Sequence, residues 1–270
     1  MKQYFSSDKV SEHVIRIKGL LNEYMYLITG EKRALLVDTG CGAGNIKEYV
    51  ASLTKLPVVV MITHGHYDHI GGSSRFPEIY IGQKEIESQL LGYKPETVLQ
   101  ELQESGIKLN YLDMSPMDIP SCLWLHDGMI FNLGNIHAEM ILCPGHTVES
   151  YCVLIQEERL LITGDACHHI TYLFFNDALT VSEFQKSIIR LNLRNEEWDK
   201  ILFSHSMGEA PKEMLEEVIQ VCYRIIEGNA KKIPFEAKGC KGYIAEPVNA
   251  DMQRKDHILG NVIYNDKKII

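Results

Sequence analysis

Apolar positions along this 270-residue chain come in short strand-length runs and in longer stretches of helical period. Segments 12–18 and 23–29 read as an opening strand pair. Ala34-Leu35-Leu36-Val37 is a short apolar strand running into Asp38-Thr39-Gly40, and a helix follows from about Asn45 to Leu53. Val58-Val59-Val60-Met61-Ile62-Thr63 is continuously apolar and rich in β-branched residues, as expected of a central strand buried on both faces. Residues 83–106 carry a helical pattern in two stretches split near Gly92-Tyr93-Lys94-Pro95, so that 83–120 reads as an inserted, mostly helical cover. A β-rich half follows, with strands at about 122–126, 129–132, 135–143, 150–156 and 159–163, and with Asp127-Gly128 and Glu157-Glu158 as hairpin turns. Segment 181–194 is an amphipathic helix, Ile201-Leu202-Phe203 a short strand, and 211–228 a helix. The tail mixes loops with short strands near 242–246 and 260–264. Its final segment, Gly260 to Asn265, reads as an edge strand that closes over the sheet or pairs across a homodimer. With no repeat, low-complexity tract or linker, the pattern describes one domain over 1–270, with an insertion at about 83–120 and a C-terminal extension at about 209–270.

Composition narrows the class. The chain is 45% hydrophobic and 23% charged, as in ordinary globular proteins, and no run approaches the ~18 apolar residues of a membrane span. A net charge of −9 argues against a nucleic-acid partner, which calls for a basic face. The opening MKQYFSSDKVSEHV lacks an apolar signal segment, which places the expectation in the cytoplasm. Seven scattered cysteines, odd in number and without a CxxC pair, fit free or buried thiols in a reducing compartment.

Candidate chemistry begins where the central strand ends. His64-Gly65-His66-Tyr67-Asp68-His69 places three histidines and an aspartate on one tight loop, and imidazole and carboxylate suit zinc at neutral pH. A lone histidine is more often a hydrogen-bonded core or surface residue; His13, His126, His137 and His257 have no motif around them and read that way. Further ligand-type residues sit downstream at strand ends: His146 in Cys143-Pro144-Gly145-His146-Thr147, Asp165 in Thr163-Gly164-Asp165, and His205 in Ser204-His205-Ser206.

In motif and order, HGHYDH, then PGHT, then TGD, then SH resembles the metallo-β-lactamase superfamily from about residue 12 to 206. The resemblance implies an α+β protein, a four-layered αββα sandwich here carrying a helical insertion, with two Zn2+ ions at one edge and iron or manganese as alternatives. Carried onto this chain, it implies that His64, His66 and His146 hold one metal, that Asp68, His69 and His205 hold the other, and that Asp165 bridges them. Asp38 matches a family aspartate that supports the ligand loop. The implied reaction is hydrolysis of an ester, thioester, lactone or amide-like carbonyl in a small metabolite. Water shared by the metals would be the nucleophile, with Asp68 orienting it or shuttling a proton.

Aspartate at 165 fits glyoxalase II-like and lactonase-like members rather than those β-lactamases with cysteine there, although a β-lactamase stays among the alternatives. His168 stands three positions after Asp165, where lactonase-like members place a tyrosine, and is a candidate to hydrogen-bond the substrate carbonyl or the leaving group; the bland reading is an ordinary loop histidine. His169 and Tyr172 are weaker candidates. Tyr67 and Leu173-Phe174-Phe175 either line the pocket or simply pack, and Cys167 is redundant as a ligand. Two other classes stay open: a mononuclear iron persulfide dioxygenase-like enzyme, and a non-catalytic metal-binding protein.

Overall fold

The strand pattern of the N-terminal half becomes a seven-stranded sheet in the computed structural model, which describes residues 2–88 and 93–270. Its strands are β1 (Ser6–Lys9), β2 (Val14–Lys18), β3 (Tyr24–Thr29), β4 (Ala34–Val37), β5 (Val58–Met61), β6 (Glu78–Ile81) and β7 (Ser121–Trp124), hydrogen-bonded in chain order. β1 to β4 are antiparallel and β4 to β7 parallel. Parallel pairing needs crossovers. The first contains α1 (Ile46–Leu53), whose N-cap Asn45 accepts the Glu48 N–H and whose Ile46 and Val50 are buried. The crossover from β5 carries the single-turn α2 (Tyr67–Ile70), and the one from β6 carries α3 (Gln83–Ser88) and α4 (Pro95–Glu104), with proline at the start of α4. Of the expected break between these helices, Gly92 lies outside the described residues.

The chain divides into two units: Met1–Met140 with Ile155–Glu158 and Ser204–Ser206, and Ile141–Leu154 with Arg159–Phe203 and Met207–Ile270. The first holds the seven-stranded sheet and the pairing of β8 (Ile130–Asn132) with the start of β9 (His137–Leu142). Its core gathers Ile17, Met25, Leu27, Leu36, Ile62, Ile79 and Leu102.

In the second unit, β10 (Tyr151–Ile155), β11 (Leu160–Gly164), β13 (Lys200–Phe203) and β14 (Glu209–Pro211) lie in the order β14-β13-β11-β10. A further sheet has the order β12-β17-β16-β15, built from β12 (Ile170–Leu173), β15 (Ile233–Ala237), β16 (Cys240–Ile244) and β17 (Asn261–Tyr264). α5 (Val181–Asn192) starts at a Thr180–Glu183 capping box, and α6 (Met214–Ile226) buries Val218, Val221, Cys222 and Ile225. Trp198, Phe184 and Phe203 fill the core here, each a side chain whose burial stabilises by about 1.5–3 kcal/mol.

The α+β class and most expected elements hold, with two differences. Gly260 to Asn265 does not form an edge: β17 runs between β12 and β16, with all four residues buried, so it offers no open edge for pairing across a dimer. Asp127-Gly128 is a turn, but the strands it joins are not partners, because β7 pairs with β6 and β8 pairs with β9. No helix among the described residues is long and apolar enough to cross a membrane.

Candidate metal centre

The first unit brings five of the expected ligands onto neighbouring loops. The chain leaves β5 through Thr63 and enters the histidine segment, of which Tyr67 to Ile70 coil into α2. Gly71 and Gly72 end this turn against the 39–42 loop. A Cβ on Gly71 would stand 2.3 Å from the Cys41 carbonyl carbon and one on Gly72 2.5 Å from the Thr39 oxygen, so only glycine permits that approach.

Asp38 is the hub behind the candidate ligands. It is buried, has φ +65°, and follows the last residue of β4. Its Oδ1 accepts the Thr63 N–H at 2.7 Å, and its Oδ2 accepts the Thr63 hydroxyl at 2.9 Å. His69 Nδ1 lies 2.8 Å from the same Oδ2. A carboxylate only accepts, so His69 carries its proton on Nδ1 and turns Nε2 toward the centre. The Thr63 hydroxyl, committed to Asp38, in turn accepts from His64 Nδ1 at 3.1 Å, so that the lone pair of this imidazole lies on Nε2. His64 Nε2 stands 3.1 Å from His66 Nδ1.

Asp68 Oδ2 lies 3.2 Å from His205 Nε2 and 3.8 Å from His69 Nε2, and the ligand atoms of these three residues all fall within 4.8 Å of one another. The 204–206 segment is tied to β3 by Tyr24, whose N–H donates to Ser204 O at 2.7 Å and whose hydroxyl donates to Ser206 O at 3.1 Å.

The second unit brings together the other two. His146 Nδ1 donates to the Tyr172 carbonyl at 2.8 Å, and its Nε2 lies 3.8 Å from Asp165 Oδ2. The 143–150 loop holds this histidine through Cys143 N–H to Ser150 O at 2.7 Å and Thr147 Oγ1 to Ser150 Oγ at 2.7 Å. A Cβ on Gly145 would stand 2.4 Å from the Phe184 ring. His168 is buried; its Nδ1 accepts the Ile170 N–H at 3.4 Å, and its ring lies against His169, Tyr172 and Phe203 at 5.4, 5.6 and 5.9 Å. Of Leu173-Phe174-Phe175, the first two are core; only Phe175 is half-buried, 6.4 Å from the His146 ring. Cys167 is buried, and burial pushes its thiol far above the ordinary range, so it is no thiolate. Outside the site, His13 and His137 bond Thr29 O and Glu157.

Three carboxylates around the ligand loop escaped sequence reasoning. Buried Glu23 accepts the Leu21 N–H at 2.8 Å and the Cys41 N–H at 2.9 Å, and its burial raises its pKa. Buried Glu85 accepts the Gly65 N–H at 2.9 Å. Glu101 accepts the Tyr67 hydroxyl, whose pKa is raised by burial and then by Asp68 and Glu101, so that it remains a donor. A lone glutamate in a helical pattern carries no signal for such contacts, which span 20 and 34 residues.

The family model described as metallo-beta-lactamase superfamily matches residues 19–176, and the chain belongs to that superfamily. It is 26% identical over 183 residues to the acyl-coenzyme A thioesterase MBLAC2 of Gallus gallus, a match covering 62% of this chain and 65% of that protein. It is 27% identical over 170 residues to an atrochrysone carboxyl ACP thioesterase of Aspergillus fumigatus, covering 58% of this chain and 46% of that one. The chain therefore spans less than two thirds of the length of these relatives. Its fold is that of a metallo-beta-lactamase from Pontibacter korlensis, with TM-score 0.58 and 18% identity over 80% of this chain and 97% of that one.

Proposed function

We propose that this protein is a metal-dependent hydrolase acting on a thioester of a small acyl group. The observation that carries the metal reading is the Asp68–His69–His205 cluster, with ligand atoms within 4.8 Å and with the His69 tautomer set by Asp38. Support for the thioester comes from the relatives, two of which are named thioesterases.

The donors fit the cations expected from the family. They are imidazole nitrogens and carboxylate oxygens, with no thiolate, and His64, His69 and His146 each have Nδ1 engaged so that Nε2 is the lone pair presented. In this reading His64, His66 and His146 would hold one zinc and Asp68, His69 and His205 the second, with Asp165 as a further ligand. Divalent cations bound there would supply Lewis acidity to the substrate carbonyl and lower the pKa of water toward neutrality.

The chain's own groups do the rest. Asp68, whose Oδ2 lies 3.2 Å from His205 Nε2, would orient the attacking water or shuttle its proton. A thiol leaving group, with a pKa of about 8.5 for an alkyl thiol such as cysteine, departs near neutral pH with little help from an acid. His168 accepts at Nδ1 from Ile170, so its Nε2 carries the proton and donates to the carbonyl or the leaving sulfur.

The test is a hydrolysis screen of acyl-CoA, acyl-carrier thioester, lactone and β-lactam substrates, each with and without chelator. Chelator-sensitive thioester cleavage at the highest kcat/KM supports the reading. Thioesters left intact while another class turns over refutes the substrate assignment.

A further inference from the structure

We infer that Glu85 and Glu101 are positioning residues for the ligand loop, which they hold through its two non-ligand residues, Gly65 and Tyr67. The inference rests on the metal reading above.

Ligands and non-ligands alternate along this loop: His64, His66 and Asp68 are separated by Gly65 and Tyr67. Glu85 Oε2 accepts the Gly65 N–H at 2.9 Å, which fixes the peptide plane between two ligating histidines. Glu101 Oε2 accepts the Tyr67 hydroxyl. Tyr67 is the first residue of α2, the turn that carries Asp68 and His69, so anchoring its ring fixes the rotation of that turn. Both carboxylates come from the helical stretch α3–α4 that the sequence marks as an inserted cover.

These contacts are more than packing. Burying a carboxylate is costly unless it is hydrogen-bonded, and Glu85 is only 1% exposed, so a neutral side chain would serve a purely structural role more cheaply. Each contact also joins the loop to an element remote in sequence, 20 residues away for Gly65 and 34 for Tyr67. Asp38 approaches the loop from the sheet at Thr63 and His69, while Glu85 and Glu101 approach it from the helices at the positions between.

The test uses the full chain stripped of metal and titrated with Co2+, followed by visible absorbance, for wild type, Glu85→Gln, Glu85→Ala, Tyr67→Phe and Glu101→Gln. Circular dichroism of each metal-free variant reports folding. Partners behind metal ligands typically contribute 10–100-fold in affinity. The expected result is a loss of about tenfold or more in cobalt affinity, with an altered spectrum, for Tyr67→Phe and Glu85→Ala. Glu101→Gln should follow Tyr67→Phe, and Glu85→Gln, which keeps an acceptor oxygen, should recover part of the loss. If Glu85→Ala fails to fold, Tyr67→Phe, which removes a single hydroxyl, carries the test. Folded Tyr67→Phe and Glu85→Gln with wild-type cobalt affinity and spectrum overturn the inference, even if both lower thermal stability. A wild-type chain that takes up no cobalt overturns the metal reading instead.

Discussion

His69 donates through Nδ1 to the Asp38 carboxylate at 2.8 Å, and the oxygen that receives it also accepts the Thr63 hydroxyl at 2.9 Å. One buried side chain thus orients the His69 ring directly and a second, that of His64, through Thr63. Asp38→Asn keeps the shape and loses the charge, and should weaken zinc or cobalt binding about 10–100-fold. Asp38→Ala leaves three donors facing a void and should cost about 3 kcal/mol or more of stability. Metal titration of the first and urea denaturation of the second check both. Unchanged affinity in Asp38→Asn would show that the tautomer is set elsewhere.

Gly145→Ala probes the other half of the ligand set. The added methyl would stand 2.4 Å from the Phe184 ring, itself fully buried in α5, so the 143–150 loop that carries His146 must shift. Overpacking of this kind costs about 1–3 kcal/mol. Denaturation should show that loss, and activity should fall by more than the loss of folded protein explains. Full stability with full activity would mean the loop yields freely.

His168→Ala and His168→Gln separate catalysis from packing. If Nε2 donates to substrate, both variants lose kcat by about tenfold or more, the range of a positioned proton donor, and the metal content stays at the wild-type value. Parallel loss of stability with kcat unchanged for folded protein would make His168 a core residue only.

Asp113 offers a pH reading away from the metals. Lys2 Nζ at 2.6 Å, then the Tyr4 hydroxyl at 2.6 Å, hold its carboxylate down to about pKa 2. A depressed carboxylate pKa contributes stability above the unfolded value near 3.9, and the contribution is lost as pH falls through about 2. Carboxyl NMR titration should find Asp113 near 2 in the wild type and closer to 3.9 when Lys2→Ala and Tyr4→Phe are combined.

The site was more legible in the sequence than the fold around it. HGHYDH reads directly as a candidate because its polar residues are close in the chain, His146, Asp165 and His205 read as candidates because each follows an apolar strand, and Asp38 stands out through the family resemblance. Strand β6 was not foreseen, since Glu-Ile-Tyr-Ile is too short to show a period, and neither was β15, in which Pro234 masks the alternation. The placement of β17 was invisible for another reason: its partner β12 precedes it by almost a hundred residues, and periodicity says nothing of such pairing. Glu23, Glu85 and Glu101 illustrate the same limit for chemistry, because their partners are backbone or tyrosine groups remote in sequence.

Thioester hydrolysis driven by two metal ions on this donor set ties the metal content of the chain to its activity. The most direct measurement is metal content and acyl-CoA hydrolysis on one preparation, as purified, after chelation, and after stepwise return of zinc. The expected result is two zinc per chain, loss of thioesterase activity on chelation, and recovery that is complete at two equivalents. Thioester turnover that survives complete metal removal, or a chain that carries a single iron and oxidises persulfides instead, would contradict it.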